Sequence, residues 1–107
     1  MSNWKEVERR VAAILGGRRV PITGRQRGDA PDIAHEWLGV EVKHRKKLPD
    51  WIHDAMAQAR ACSDGGKLPT VILHEHNQLY TKSFVVLELD EFEQWFGRVT
   101  NKREELT

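Results

Sequence analysis

Pro31-Asp32-Ile33 followed by Val40-Glu41-Val42-Lys43 is the part of the chain whose residue types and spacing best suit chemistry. Glu41 and Lys43 are separated by one residue, so on a strand they share a face. Asp32 lies one strand away across a short hairpin. Two hard oxygen donors are thereby set beside an ammonium group. Mg²⁺ is held by a few carboxylates together with waters and phosphate oxygens. A metal so held lowers the pKa of a bound water and stabilises charge on a phosphate in transfer. Lys43 could orient or deprotonate that water, or neutralise phosphate charge. Glu8 could supply a further carboxylate from the first helix.

The elements that must position these groups follow from periodicity and punctuation. A helix is predicted from Asn3 to Leu15, with Asn3 and Glu6 spaced as in a capping box and Gly16-Gly17 ending it. Its apolar stripe is Trp4, Val7, Val11, Ile14 and Leu15, with Glu8 at the edge. Arg18–Ile22 reads as a short strand, and Thr23–Ala30 as a polar, glycine-punctuated loop. Pro31–His35 and Trp37–Lys43 read as two strands joined by a tight turn near Glu36. In the second, Leu38, Val40 and Val42 face one way, and Trp37, Gly39, Glu41 and Lys43 the other. A second helix starts at Pro49 and runs to about Ser63, with stripe Trp51, Ile52, Ala55, Met56, Ala59 and Cys62. Thr70–His74 and Phe84–Glu88 are expected to be buried strands around a polar Glu75–Ser83 turn. Asp90 and Glu93 open a third helix presenting Phe92, Trp95 and Phe96. The expected order is α-β-β-β-α-β-β-α, an α/β fold with a mixed sheet flanked by helices.

With 107 residues, the chain is expected to form one domain over residues 1–97, followed by a C-terminal tail over 98–107. No apolar run approaches the roughly 20 residues of a membrane helix. The charged start Met-Ser-Asn-Trp-Lys-Glu does not resemble a signal peptide. One cysteine, Cys62, excludes an intrachain disulfide and a cysteine-based zinc finger. The expected location is the cytoplasm. Formal net charge is only +1, but residues 16–47 hold eight Lys/Arg against four acids, and residues 48–97 hold three against eight. This asymmetry suits a polyanion bound on one side. Arg18, Arg19, Arg25 and Arg27 are candidate phosphate contacts before the acids; His44, Arg45, Lys46 and Lys47 are candidates after them. His74 and His76 alternate on a strand but lack a third soft ligand nearby, and a polar strand end is the better reading.

The joint pattern of helix glutamate, Pro-Asp, Glu-x-Lys, basic run and amphipathic helix resembles the PD-(D/E)xK nuclease superfamily. It looks most like the archaeal-type Holliday junction resolvases and small phage endonucleases, over roughly residues 4–75. The resemblance implies a restriction-endonuclease-like core and Mg²⁺-dependent hydrolysis of DNA that leaves a 5′-phosphate, with Mn²⁺ able to substitute. It implies Glu8, Asp32, Glu41 and Val42 as the metal set and Lys43 as the catalytic lysine. Thr23 stands where the resolvases carry a serine, and Gln58 resembles a glutamine that many members place near the active site. The expected substrate is branched DNA in recombination or phage genome processing. The expected assembly is a two-fold homodimer, with the third helix and Phe84–Leu87 as interface candidates. The alternatives are a nicking or flap-type nuclease without junction preference, a non-catalytic DNA-binding module, and a protein-interaction domain using the acidic half.

Overall fold

Asn3 starts the first helix as its residue type requires. Its backbone is extended (φ −97°, ψ 168°), and its Oδ1 accepts the Glu6 N–H at 2.9 Å. The Glu6 carboxylate does not complete a capping box. It accepts from Arg9 and Arg10 instead, at 2.8 and 2.9 Å. The helix, α1, spans Trp4–Leu15 and ends at Gly16, whose φ of 78° is left-handed. The Gly17 N–H then closes onto the Ala12 carbonyl at 2.9 Å, satisfying an end carbonyl.

The computed structural model describes residues 3–21 and 31–97. It is a small mixed α/β protein that divides into two compact units, one within Met1–Lys46 and the other within Lys47–Val99. In the first unit, β1 (Arg18–Arg19) pairs antiparallel with β2 (Ile33–Ala34). Ile33, fully buried, and Ala12 form its centre. The sequence predicts a third strand over Trp37–Lys43; the observed pairing is a single antiparallel bridge, Ile33 to Val40. Pro31 explains the interruption. Continuing that register sets Pro31 opposite Val42, and proline has no N–H for the next rung. The expected alternation survives regardless: Leu38, Val40 and Val42 are partly buried, while Trp37, Gly39, Glu41 and Lys43 are exposed.

In the second unit, α2 (Asp50–Ala61) follows Pro49 and buries Met56 and Ala59. β3 (Val71–Leu73) and β4 (Phe84–Val86) pair antiparallel, with Ile72 opposite Val85. A 3₁₀ turn, Tyr80–Lys82, lies between them. α3 (Leu89–Phe92) passes into a π-helical turn, Glu93–Gly97, which brings the Phe92 and Phe96 rings to 5.1 Å.

Several expectations are corrected. Among the described residues the strands form two separate antiparallel pairs, where one mixed sheet is expected. The buried face of α1 is centred on Glu8 and Ala12; Trp4 and Ile14, expected in the core, are exposed. Strands of two residues cover only the middle of a twelve-residue helix. Trp51 and Cys62 are exposed on α2, and Ile72, Phe84 and Val85 are exposed on the second strand pair. A two-stranded pair leaves apolar side chains open unless another layer covers it. No helix of the described residues is long and apolar enough to cross a membrane.

Candidate active site in the first unit

The short β1–β2 pair and the Val40 segment bring Asp32 against the Glu-x-Lys residues. The Asp32 N–H donates to the Val40 carbonyl at 3.1 Å, and its own carbonyl accepts the Val20 N–H at 2.9 Å. Its backbone is therefore held from both sides. Its side chain adds a further link to the same segment: Oδ2 accepts the Val42 N–H at 2.7 Å. This is a charge-assisted bond to the residue between Glu41 and Lys43. It engages one carboxylate oxygen and leaves Oδ1 for a cation or another donor.

Glu41 and Lys43 project together from the exposed side of this segment. Lys43 Nζ lies 3.4 Å from Glu41 Oε1, with the side chains 75% and 61% exposed. Such a pair adds little to stability. It is open to a ligand, and each group sets the other's position.

Glu8 occupies a different environment. It is the one buried charged residue of the described chain, and its Oε1 accepts from Arg19 Nε at 2.7 Å. Arg19 also lies over the Trp4 ring, 5.2 Å from guanidinium carbon to ring centroid. The sequence groups Arg18 with Arg19 as phosphate contacts, but strand alternation separates them. Arg18 is exposed and Arg19 points inward to Glu8.

His35, at the end of the Pro31–His35 segment, fastens the turn that follows it. Its Nδ1 accepts the N–H groups of Trp37 and Leu38, each at 3.2 Å. The remaining proton therefore sits on Nε2, which donates to the Leu15 carbonyl at 2.8 Å. One imidazole ties the end of α1 to the turn that aims the Glu41 segment.

The other candidates are distributed as follows. His44, Arg45 and Lys46 are exposed immediately after Lys43. Lys47 reaches Asp50 at 3.2 Å, a fully surface pair. Gln58 is exposed on α2 in the second unit. Thr23, Arg25 and Arg27 lie outside the described residues. His74 is engaged by its own turn: Nε2 meets the Gln78 carbonyl at 3.0 Å, and the ring stacks on Tyr80 at 4.7 Å.

The expected metal set is present in kind, as hard oxygen donors, but the three carboxylates do not converge. Among the described residues no three Asp, Glu, His or Cys side chains form a metal-binding group. The set that the local geometry links is smaller: Asp32, Glu41 and the backbone of Val42. One or two carboxylates with carbonyl, water and phosphate oxygens match how Mg²⁺ is bound in phosphoryl-transfer sites. Comparison with family models, curated proteins and solved structures returned no match.

Proposed function

We propose that this chain is a Mg²⁺-dependent DNA endonuclease of the PD-(D/E)xK type, acting on branched DNA such as a Holliday junction. The observation that carries this reading is the Val42 N–H to Asp32 Oδ2 bond, which links the Asp of Pro-Asp to the centre of Glu-x-Lys. The element order supports a restriction-endonuclease-like core. A helix bearing a buried glutamate precedes a short antiparallel β-structure, which is followed by an amphipathic helix, two further strands and a last helix.

In this reading Asp32, Glu41 and the Val42 carbonyl would hold Mg²⁺ (or Mn²⁺). Glu8 would add an outer carboxylate. The metal supplies charge neutralisation at the phosphate and a water activated for attack. Lys43 is kept beside Glu41 by their ion pair and offers Nζ to a phosphate oxygen or to that water. Arg18, His44, Arg45 and Lys46 are exposed on the same unit and would grip flanking phosphates. Water attacks phosphorus, the P–O3′ bond breaks, and the products carry a 5′-phosphate and a 3′-hydroxyl. Paired cuts across a junction require two such sites, hence a homodimer.

A second reading, a DNA-binding module without turnover, draws on a specific observation: Glu8 is ion-paired to Arg19 and the carboxylates do not meet as a triad. Labelled four-way junction, flap and linear duplex separate the readings. Cutting of the junction in Mg²⁺, abolished by EDTA, supports the resolvase. Equal cutting of all three supports a nuclease without junction preference. Tight binding with no cutting supports the module.

A further inference from the structure

In the second unit, a cleft of about 460 Å³ lies at the end of the β3–β4 hairpin, lined by Leu73, His74, Glu75, Gln78, Lys82 and Phe84. It starts at the last rung of the pair, Leu73 opposite Phe84. The turn beyond that rung is tied to itself. The Glu75 carbonyl accepts the Gln78 N–H at 3.0 Å, and the Leu79 carbonyl accepts the Lys82 N–H at 3.0 Å. His74 Nε2 donates to the Gln78 carbonyl at 3.0 Å, and its ring stacks on Tyr80. The Phe84 ring is 72% exposed and Tyr80 84%. An open aromatic face, a carboxylate that only accepts and an ammonium that only donates therefore share one concave site. Its volume is in the range of pockets that hold small ligands.

We propose that this cleft binds one unpaired nucleotide of a DNA strand, with the base stacked on Phe84, its amino edge donating to Glu75 and the adjoining phosphate met by Lys82. The choice of DNA as ligand rests on the nuclease reading above, and the cleft adds the substrate feature that the second unit reads, an unpaired base. Stacking on an exposed ring accepts any base. A carboxylate is more selective: it accepts from the cytosine N4 amino group and repels the O4 acceptor of thymine. The charge around the cleft also fits. Residues 48–97 hold three Lys/Arg against eight acids, but residues 71–86 carry one acid, Glu75, and one lysine, Lys82. The hairpin does not repel a phosphate, and it lacks the basic surface that grips a duplex, so stacking must carry the binding there.

The test is binding of short labelled oligodeoxycytidylate and oligothymidylate to the full chain at neutral pH, in EDTA so that no strand is cut, followed by fluorescence anisotropy across a salt series. The wild type should favour the cytidylate by about fivefold, and Glu75→Gln should level the two. Phe84→Ala should weaken both by about tenfold with the salt slope unchanged. Lys82→Gln should flatten the slope of log K against log salt by about 0.7, as for one phosphate of a single strand. If Phe84→Ala does not fold, Phe84→Leu, which keeps apolar bulk without the ring, decides in its place. Strand affinity unmoved by loss of the ring overturns the proposal, and so does equal affinity of the wild type for the two strands. Self-association lost in Phe84→Ala with strand affinity unmoved makes the ring a contact between copies of the chain, which also overturns it. Free deoxycytidine monophosphate that displaces the strand at strand-like affinity makes the ligand a mononucleotide and overturns it too. Junction cutting without single-strand binding overturns the cleft and leaves the nuclease reading. Strand binding that depends on Phe84, without cutting of any substrate in Mg²⁺, supports the cleft and overturns the nuclease reading.

Discussion

The Val42 N–H donates to Asp32 Oδ2 at 2.7 Å, across ten positions of sequence, beyond the single Ile33–Val40 bridge. The bond fixes the Asp32 carboxylate against the segment that carries Glu41 and Lys43.

Removing that carboxylate should separate folding from chemistry. Asp32→Asn keeps an acceptor for Val42 and should fold with little loss, while cleavage disappears. Asp32→Ala leaves the Val42 N–H without its partner and should destabilise by about 1.5–3 kcal/mol, as for a hydrogen bond to a charged group. Urea denaturation of the two variants beside the wild type measures the difference.

Glu41 and Lys43 make the opposite case. Their ion pair is exposed, so Glu41→Gln and Lys43→Met should each change stability by less than about 1 kcal/mol. Both should nonetheless lose cleavage. A large fall in rate with an unchanged denaturation midpoint marks groups that face the substrate. A matching loss of stability would make them structural.

Glu8 should be costly to remove for reasons independent of activity. Glu8→Ala leaves the Arg19 guanidinium largely buried without its partner, a loss of roughly 3 kcal/mol. Glu8→Gln retains an acceptor and should lose less. Thermal denaturation at neutral pH distinguishes the two.

Gly17 links the helix end to the site. A Cβ there would run into the Ala34 carbonyl oxygen and lie 2.9 Å from Ile33 Cγ2. Gly17→Ala should push β2 away from α1 at a cost of about 1–3 kcal/mol. Because Asp32 directly precedes β2, cleavage should fall in the variant even below its unfolding temperature.

The first turn of α1 carries a pH signature. The Arg10 hydrogen bond, followed by the charges of Arg10 and Arg9, holds the Glu6 carboxyl below its ordinary value of 4.5. A lowered folded-state value stabilises fully above 4.5, and the contribution is lost as pH falls through the folded-state value. Glu6→Gln should therefore melt earlier than the wild type at neutral pH, and the gap should close as pH falls through the folded-state value of Glu6.

Much of this was legible along the chain because it depends on local rules. Asn3 and Gly16 bound α1 as a capping residue and a left-handed glycine should. The alternation from Trp37 to Lys43 appears in the burial of each residue, although only Val40 forms a bridge. What was not legible depends on how much of each face another element covers. The apolar stripe of α1 suggested Trp4 and Ile14 as core, but the two-residue strands beneath it reach only as far as Glu8 and Ala12. Trp51, Phe84 and Val85 share that misreading. At the site, the Asp32–Glu41–Lys43 neighbourhood followed from hairpin spacing. The inward turn of Arg19 did not, because four arginines of one charge around a loop look alike until a strand gives each a side.

The most direct test of the central claim is cleavage of a labelled four-way junction by the wild type and by Asp32→Asn, in Mg²⁺ and in EDTA. The account predicts paired symmetric cuts by the wild type in Mg²⁺, with 5′-phosphate ends, and none in EDTA or with Asp32→Asn. Cutting that persists in EDTA, or that Asp32→Asn performs at the wild-type rate, would contradict it.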